Sequence, residues 1–428
     1  MLRGRDIVVL ALPRWDGPYE SASFSISVEL AKHNRVLYVD HPFTITEVAR
    51  GLGTPQIRRR LSKMLPFSAG VWPLPKPGPR MWVLTPAPTL PINALAEGRA
   101  YDALSRLGNR ALARRIRRAI QKLGFRDYIF INSFNFHYGR TLDHLSPALS
   151  VYHCVDAMIK PYTLRHGPRL EGELLEAVDL VITTSAQLMR EKARVNRNTH
   201  CIPNAARFDV ASRALDPGTP IPSDIAALGR PVIGYFGNIE RRIDYDLVLA
   251  AAAMRPDWRF VLVGPIERAF VPDALFGRPN VHLLGRKPHE TLPGYLKAFD
   301  VAIIPFKVDA VSATIYPLKF FEYLGAGRPV VTTPFNMDLI EPLAPVVSIA
   351  TTAEEFVAAV ESELAGDAPD RLAARMAAAR ENTWDMRGQA FAKLLYDQLA
   401  EKEARNEPEG AADGIPGTER DRAGAHLP

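Results

Sequence analysis

Residues 216–238, DPGTPIPSDIAALGRPVIGYFGN, join a proline-rich break to a fresh apolar strand. Three prolines among polar residues are the composition of a linker. The strand after them, PVIGYFGN (231–238), restarts an alternation that has already run once. Before the break come DIVVLAL (6–12), a stretch of helical spacing at 21–32, RVLYVDH (35–41), YIFIN (128–132), LSVYHCVD (149–156), DLVITTS (179–185) and HCIPN (200–204). After it come WRFVLVGP (258–265), VHLLG (281–285), VAIIPF (301–306), PVVTTP (329–334) and VVSIA (346–350). Continuous apolar strands with helices between them imply parallel sheets covered on both faces. The expected fold class is α/β: two Rossmann-like, doubly wound parallel-sheet domains facing across a cleft. Ligands of such sheets bind beyond the carboxyl ends of the strands. The boundaries read as 1–212, a linker at 213–228, a second domain at 229–382, an amphipathic helix at 383–402 and a disordered tail at 403–428. Ser185 is placed to cap a helix.

The 428 residues carry 47% hydrophobic and 23% charged side chains, enough for a sizeable core, which excludes a disordered chain. No apolar run reaches the ~18 to 20 residues a bilayer span needs, and the start is too short in apolar length for a signal peptide. A cytoplasmic location is expected. Cys154 and Cys201 make neither a disulfide framework nor a zinc site and read as core thiols. Between Arg58 and Arg126 fifteen basic side chains face two acids, Glu97 and Asp102. Interleaved Leu61, Met64, Leu65, Phe67, Val71, Trp72 and Leu74 favour an anionic membrane surface over a nucleic acid as the partner of this patch.

The chemistry concentrates in SATIYPLKFFEYLGAGRPVVTT (312–333). A polar turn after VAIIPF leads through Thr314, Tyr316, Pro317 and Leu318 into a helix ended by Gly325 and Gly327. A helix opening past a strand end aims free N–H groups at the cleft, which suits a diphosphate. Lys319 in its first turn can neutralise phosphate oxygens, and Glu322, on the same face, can accept both hydroxyls of a ribose. Gly264 and Gly285 end strands and let backbone approach a nucleotide; Arg286 and Lys287 follow. In the first half, Asp156 closes VYHCVD at its carboxyl end, where a carboxylate can take a proton from an acceptor hydroxyl. Gly17, in the turn RWDGP (14–18), lets backbone approach donor phosphates or acceptor.

Segment for segment the chain resembles GT-B glycosyltransferases, in particular the family 4 type and relatives that build cell-surface polysaccharides, of the teichuronic-acid or xanthan glucuronosyltransferase kind. The similar pieces are GYFGN with the basic residues after it, FVLVGP, NVHLLGRKPHETLPGYLKAFDVAIIPF and PLKFFEYLGAGRPVV, and earlier RVLYVDHP, VYHCVD, DLVITTS and IPNAARFD. The resemblance implies that Glu322 binds the donor ribose and Lys319 the diphosphate, with Asn238 of GYFGN beside them. It implies a second diphosphate cation, Arg241 or Arg242, between which the spacing does not choose. Eight positions before Glu322, where many members have a second glutamate, this chain has Thr314, a departure that speaks for inversion. Asp156 stands where inverting relatives keep their base, and His137 in SFNFHYG competes for that role.

These readings imply a nucleotide-sugar donor, a lipid-linked or glycan acceptor, a peripheral site at the inner membrane surface, no nucleic-acid partner, no metal and no cofactor. Two rival readings are a nucleotide-sugar epimerase of the same fold and, remotely, a nucleic-acid-binding protein.

Overall fold

The computed structural model of the chain describes residues 2–17, 21–74, 80–366 and 369–406. Strands β1 (Asp6–Ala11), β2 (Arg35–Val39), β3 (Val71–Pro73), β4 (Met81–Leu84), β5 (Ile129–Ser133), β6 (Leu149–Cys154), β7 (Leu180–Thr183) and β8 (Thr199–Cys201) form one sheet. Its order is β3-β4-β2-β1-β5-β6-β7-β8, and only the β3–β4 pair is antiparallel. Strands β9 (Val232–Phe236), β10 (Arg259–Val263), β11 (Val281–Gly285), β12 (Val301–Ile304), β13 (Val330–Thr332) and β14 (Ser348–Ile349) form a second, fully parallel sheet of order β11-β10-β9-β12-β13-β14. Every residue of β1, β5, β6, β7 and β12 is buried, which is why these runs lack a polar alternation. Ser21 and Ser185 cap the helices that follow them, accepting from the amides of Phe24 and Leu188. Strand order reverses at β1/β5 in the first sheet and at β9/β12 in the second, so each sheet opens a crevice there.

The chain passes between the lobes twice, and the two passages lie side by side. Ile202 and Ala205 belong to the core of the first lobe, Ala206 to that of the second. On the return, Ala379 packs in the second core and Trp384 in the first, while the Ala206 amide donates to the Asn382 carbonyl at 3.2 Å. The expected linker at 213–228 is therefore not a free connector. Ala214 and Ile225 are buried in the second core, and Lys297 holds the carbonyls of Asp216, Pro217 and Thr219. The returning helix Trp384–Asn406 lies on the helix Ala22–Ala31 of the first lobe, so closely that a Cβ at Gly388 would overlap Glu29. This helix carries four residues more than expected at its end, and the rest of the expected tail, 407–428, lies outside the described residues.

The basic and apolar segment is also corrected in part. Val71 and Trp72 belong to an edge hairpin, and Met64 and Leu74 are buried. Arg60 is 0% exposed, held by Asp16 (2.5 Å) and Asp40 (3.1 Å); Arg115 is buried against the carbonyls of Leu65 (2.9 Å) and Lys63. Lys76 lies outside the described residues. Exposed are Arg58, Arg59, Arg80, Arg126 and a basic face of the helix Arg99–Leu123 made by Arg99, Arg106, Arg110, Arg114, Arg117, Arg118 and Lys122. Next to it stand Leu61, Leu65 and Phe67, the last 98% exposed, and Arg118 reaches the Pro66 carbonyl at 3.4 Å.

Candidate active site

Between the lobes lies a cleft of about 410 Å3. The first lobe contributes Val155, Asp156 and Asn204; the second contributes the turns after β9, β10, β11 and β12. Asn204 donates to the Tyr316 carbonyl at 3.3 Å, a direct hydrogen bond across the gap. Gly264, at φ 153°, ends β10 against Gly237, where a Cβ would overlap the Gly237 carbonyl oxygen. Only glycine fits that approach. Gly237 in turn, at φ 155°, leaves room for the Lys319 side chain.

Lys319 opens the helix Lys319–Gly325, and no side chain caps that helix. Its ammonium lies over the rings of Phe306 (4.9 Å) and Tyr235 (5.3 Å). Burial, then repulsion from Arg242, lowers its pKa to about 8, against the pull of Glu322 and Glu240. Glu322 sits on the same helix, 3.9 Å from His289. Arg242 is ion-paired to the buried Glu240 and lines the cleft; Arg241 is not among the lining residues. Asp156 faces these cations from the opposite lobe, its carboxylate accepting from the Ala157 amide at 2.9 Å. Burial raises its pKa, with Arg242 pulling the other way, so it is a stronger base than a surface aspartate.

Asn238, Gly264, Thr314, Tyr316, Pro317, Leu318, Lys319 and Glu322 line the cleft, together with Arg286 and Lys287, the latter paired to Asp224 at 2.7 Å. Three expectations are corrected. Gly285 is not a wall residue: its carbonyl accepts the Gly264 amide at 2.9 Å and so shapes the wall from behind. Gly17 and His137 line a different cavity in the first lobe, because β1 and β5 end on the far side of β6 from the cleft. Asp156 and His137 are thus not brought together in one pocket. Asn204, Tyr235, Phe306 and His289 escaped the sequence reading. The first three lie in core-like runs whose facing no spacing reveals, whereas His289, two residues after Lys287, was within reach of the same motif.

The cluster of Lys319 and Arg242 has a measurable consequence. A diphosphate favours the charged ammonium, so a nucleoside diphosphate binding at pH 8.5 is expected to take up a fraction of a proton. At pH 7, below the pKa of about 8, Lys319 already holds its proton and the uptake shrinks. Affinity accordingly falls as pH rises through 8. Calorimetry in buffers of different ionisation enthalpy checks this; buffer-independent heats at pH 8.5 would exclude it.

Residues 230–367 match the family described as Glycosyl transferases group 1. The chain is 28% identical over 201 residues to a Bacillus subtilis (strain 168) protein named provisionally as the teichuronic acid biosynthesis glycosyltransferase TuaH, covering 43% of this chain and 50% of the relative. The match thus spans about half the length of that curated relative. Similar solved structures include sucrose-phosphate synthase of Thermosynechococcus elongatus (TM-score 0.62, 15% identity, 93% of this chain and 100% of that one). Another is the α,α-trehalose 6-phosphate synthase of Burkholderia multivorans (0.65, 13%, 94% and 99%). A third is Anabaena HepE in complex with UDP (0.59, 13%, 92% and 100%). At these identities the structures speak for the fold alone. Two parallel-sheet lobes around one cleft make this chain a GT-B fold protein, and residues 230–367 of its second lobe match the group 1 glycosyl transferase family.

Proposed function

We propose that the protein transfers a sugar from a nucleotide-sugar donor to a lipid-linked or polysaccharide acceptor of the cell envelope. The observation that carries the reading is the facing of Asp156 by Arg242, Lys319 and Glu322 across one cleft. Glu322 would hold the ribose and the two cations the diphosphate. Asp156 would take the proton from the acceptor hydroxyl as its oxygen displaces the diphosphate at the anomeric carbon. Two cations on the leaving group supply the stabilisation a metal gives elsewhere, so neither a metal nor a cofactor is required. Thr314, with its hydroxyl donated to the Val311 carbonyl at 2.7 Å, offers no carboxylate on that wall, which supports inversion.

The test is diphosphate release from UDP-, GDP-, dTDP- and ADP-sugars by the purified protein, with and without a lipid extract, and with EDTA. Acceptor-dependent, EDTA-resistant release from one donor is expected; binding of none would refute the reading.

The membrane-facing part of the proposal rests on the basic face of Arg99–Leu123 beside Leu65 and Phe67. Among the described residues no helix is long and apolar enough to cross a membrane. We propose a peripheral enzyme on the cytoplasmic face, a reading supported by this basic and apolar face. It is expected to float with anionic vesicles at low salt and to be released by high salt or by Phe67→Ser. Equal flotation with neutral and anionic vesicles would contradict this.

A further inference from the structure

Of the two cations on the cleft wall, Lys319 is placed by the rings around it, whereas Arg242 is placed by a carboxylate. Arg242 stands in the turn after β9, and main-chain bonds pin that turn on both sides. Toward the turn after β10, the Ile239 amide donates to the Pro265 carbonyl and the Glu267 amide to the Ile239 carbonyl, both at 2.9 Å. Toward the end of β12, the Asp244 amide donates to the Pro305 carbonyl and the Lys307 amide to the Arg242 carbonyl, both at 2.8 Å. The Tyr245 hydroxyl adds a bond to the Glu240 carbonyl at 2.9 Å. The backbone of the turn thus holds without the Glu240 side chain.

That side chain is nonetheless buried, and its carboxylate is ion-paired to the Nε of Arg242. An arginine carries five N–H donors in a planar fork. Here Nε is taken, while the two terminal nitrogens make no hydrogen bond or ion pair among the described residues. The guanidinium lies 5.9 Å from the ring of Phe306, itself on the cleft wall. Glu240 does not line the cleft; it stands behind the cation that does.

Within electrostatic reach of Glu240 are Arg242, Lys319, Tyr235 and Tyr245 of its own lobe and Asp156 of the other. Asp156 is faced in addition by Lys160 and by the Ala157 amide. Burial raises the Asp156 pKa against the pull of Arg242, and Glu240 raises it further.

We propose that Glu240 is the positioning residue of the leaving-group site: it anchors Arg242 through Nε, leaving the terminal nitrogens for a diphosphate, and keeps a negative charge behind the cations opposite Asp156. The inference rests on the transferase reading above. An anchored fork can meet two phosphate oxygens at once, whereas a loose one must be ordered by the ligand at a loss of affinity. The charge has a separate effect, since an anion across the gap strengthens Asp156 as a proton acceptor.

Two neutral variants separate these parts. Glu240→Gln keeps an oxygen for Nε and loses the charge; Glu240→Ala loses both. Calorimetric titration of the full chain with UDP, GDP, dTDP and ADP compares them on the nucleotide that the parent binds most tightly. Glu240→Ala is expected to bind about 5- to 20-fold more weakly than Glu240→Gln, and the difference should vanish once Arg242→Ala is added to both. In sugar transfer, the acid limb of the rate should move down by roughly half a pH unit in Glu240→Gln. A structural role alone predicts neither the dependence on Arg242 nor the moved limb. Equal binding by the Ala and Gln variants, a gap that persists without Arg242, or an unmoved acid limb would overturn the proposal. Melting temperatures report folding, and the acid limb of Glu240→Gln decides even where Glu240→Ala does not fold. If the binding differences hold while no sugar is transferred, the anchoring of Arg242 stands and the transferase reading falls. A parent that binds none of the four nucleotides overturns both.

Discussion

Asp156→Asn is expected to lower sugar transfer by about 100- to 10,000-fold while leaving nucleotide affinity within about twofold of the parent. The amide keeps the shape and can still accept from the Ala157 amide, but it cannot take a proton. Because burial raises the Asp156 pKa, the parent rate should also fall on acidification at a pH above the usual aspartate range, as the base becomes protonated. The Asn variant should lose that limb of the profile. Single-turnover rates at saturating donor, from pH 4.5 to 8, measure both effects. An Asn variant with more than a tenth of the parent rate would remove Asp156 from the base role and return attention to other groups near the cleft.

Lys319→Ala is the second large effect. Loss of one of two cations on the leaving diphosphate should cost about 100- to 1,000-fold in kcat, or roughly 3 to 4 kcal/mol of transition-state stabilisation, and less in ground-state donor binding. The reason for the split is charge: negative charge on the diphosphate grows as the glycosidic bond breaks, so the cation matters more in the transition state than before it. Arg is a poor substitute. Lys319 is confined by Gly237 and by the rings of Tyr235 and Phe306, and a planar guanidinium does not fit the space of an ammonium. A fall in binding as large as the fall in turnover would show that Lys319 serves the ground state only. A melting temperature equal to the parent's separates either result from unfolding.

The two lobes could be read from residue order because their central strands are buried on both faces. Such strands are apolar at most positions, and IVVLA (7–11) or VAII shows this without knowledge of the neighbours, while Asp6 at the strand start is buried in an ion pair with Arg35. The second lobe's wall of the cleft was legible for a related reason: Thr314 to Glu322 lie within one turn and one short helix, so sequence spacing is close to spatial spacing. The hairpin of β3 and β4 was not legible. It stands at the sheet edge among prolines and arginines, where short strands carry no distinctive period.

What local sequence could not contain is any relation between distant side chains. Arg60 reads as a surface charge until Asp16 and Asp40, 44 and 20 residues away, are seen to neutralise it inside the lobe. Likewise Gly17, His137 and Asp156 all follow strands of one sheet, and strand ends alone suggest one shared site. Strand order separates them: β1 and β5 flank the reversal point and open into the first lobe's cavity, while β6 lies beyond β5 and delivers Asp156 to the second lobe. Burial and backbone hydrogen bonding are short-range demands that each segment must meet by its own composition, so the apolar runs declare the architecture. Which strand ends share a cavity, and which of Arg241 and Arg242 meets the cleft, depend on the packing of segments far apart in the chain.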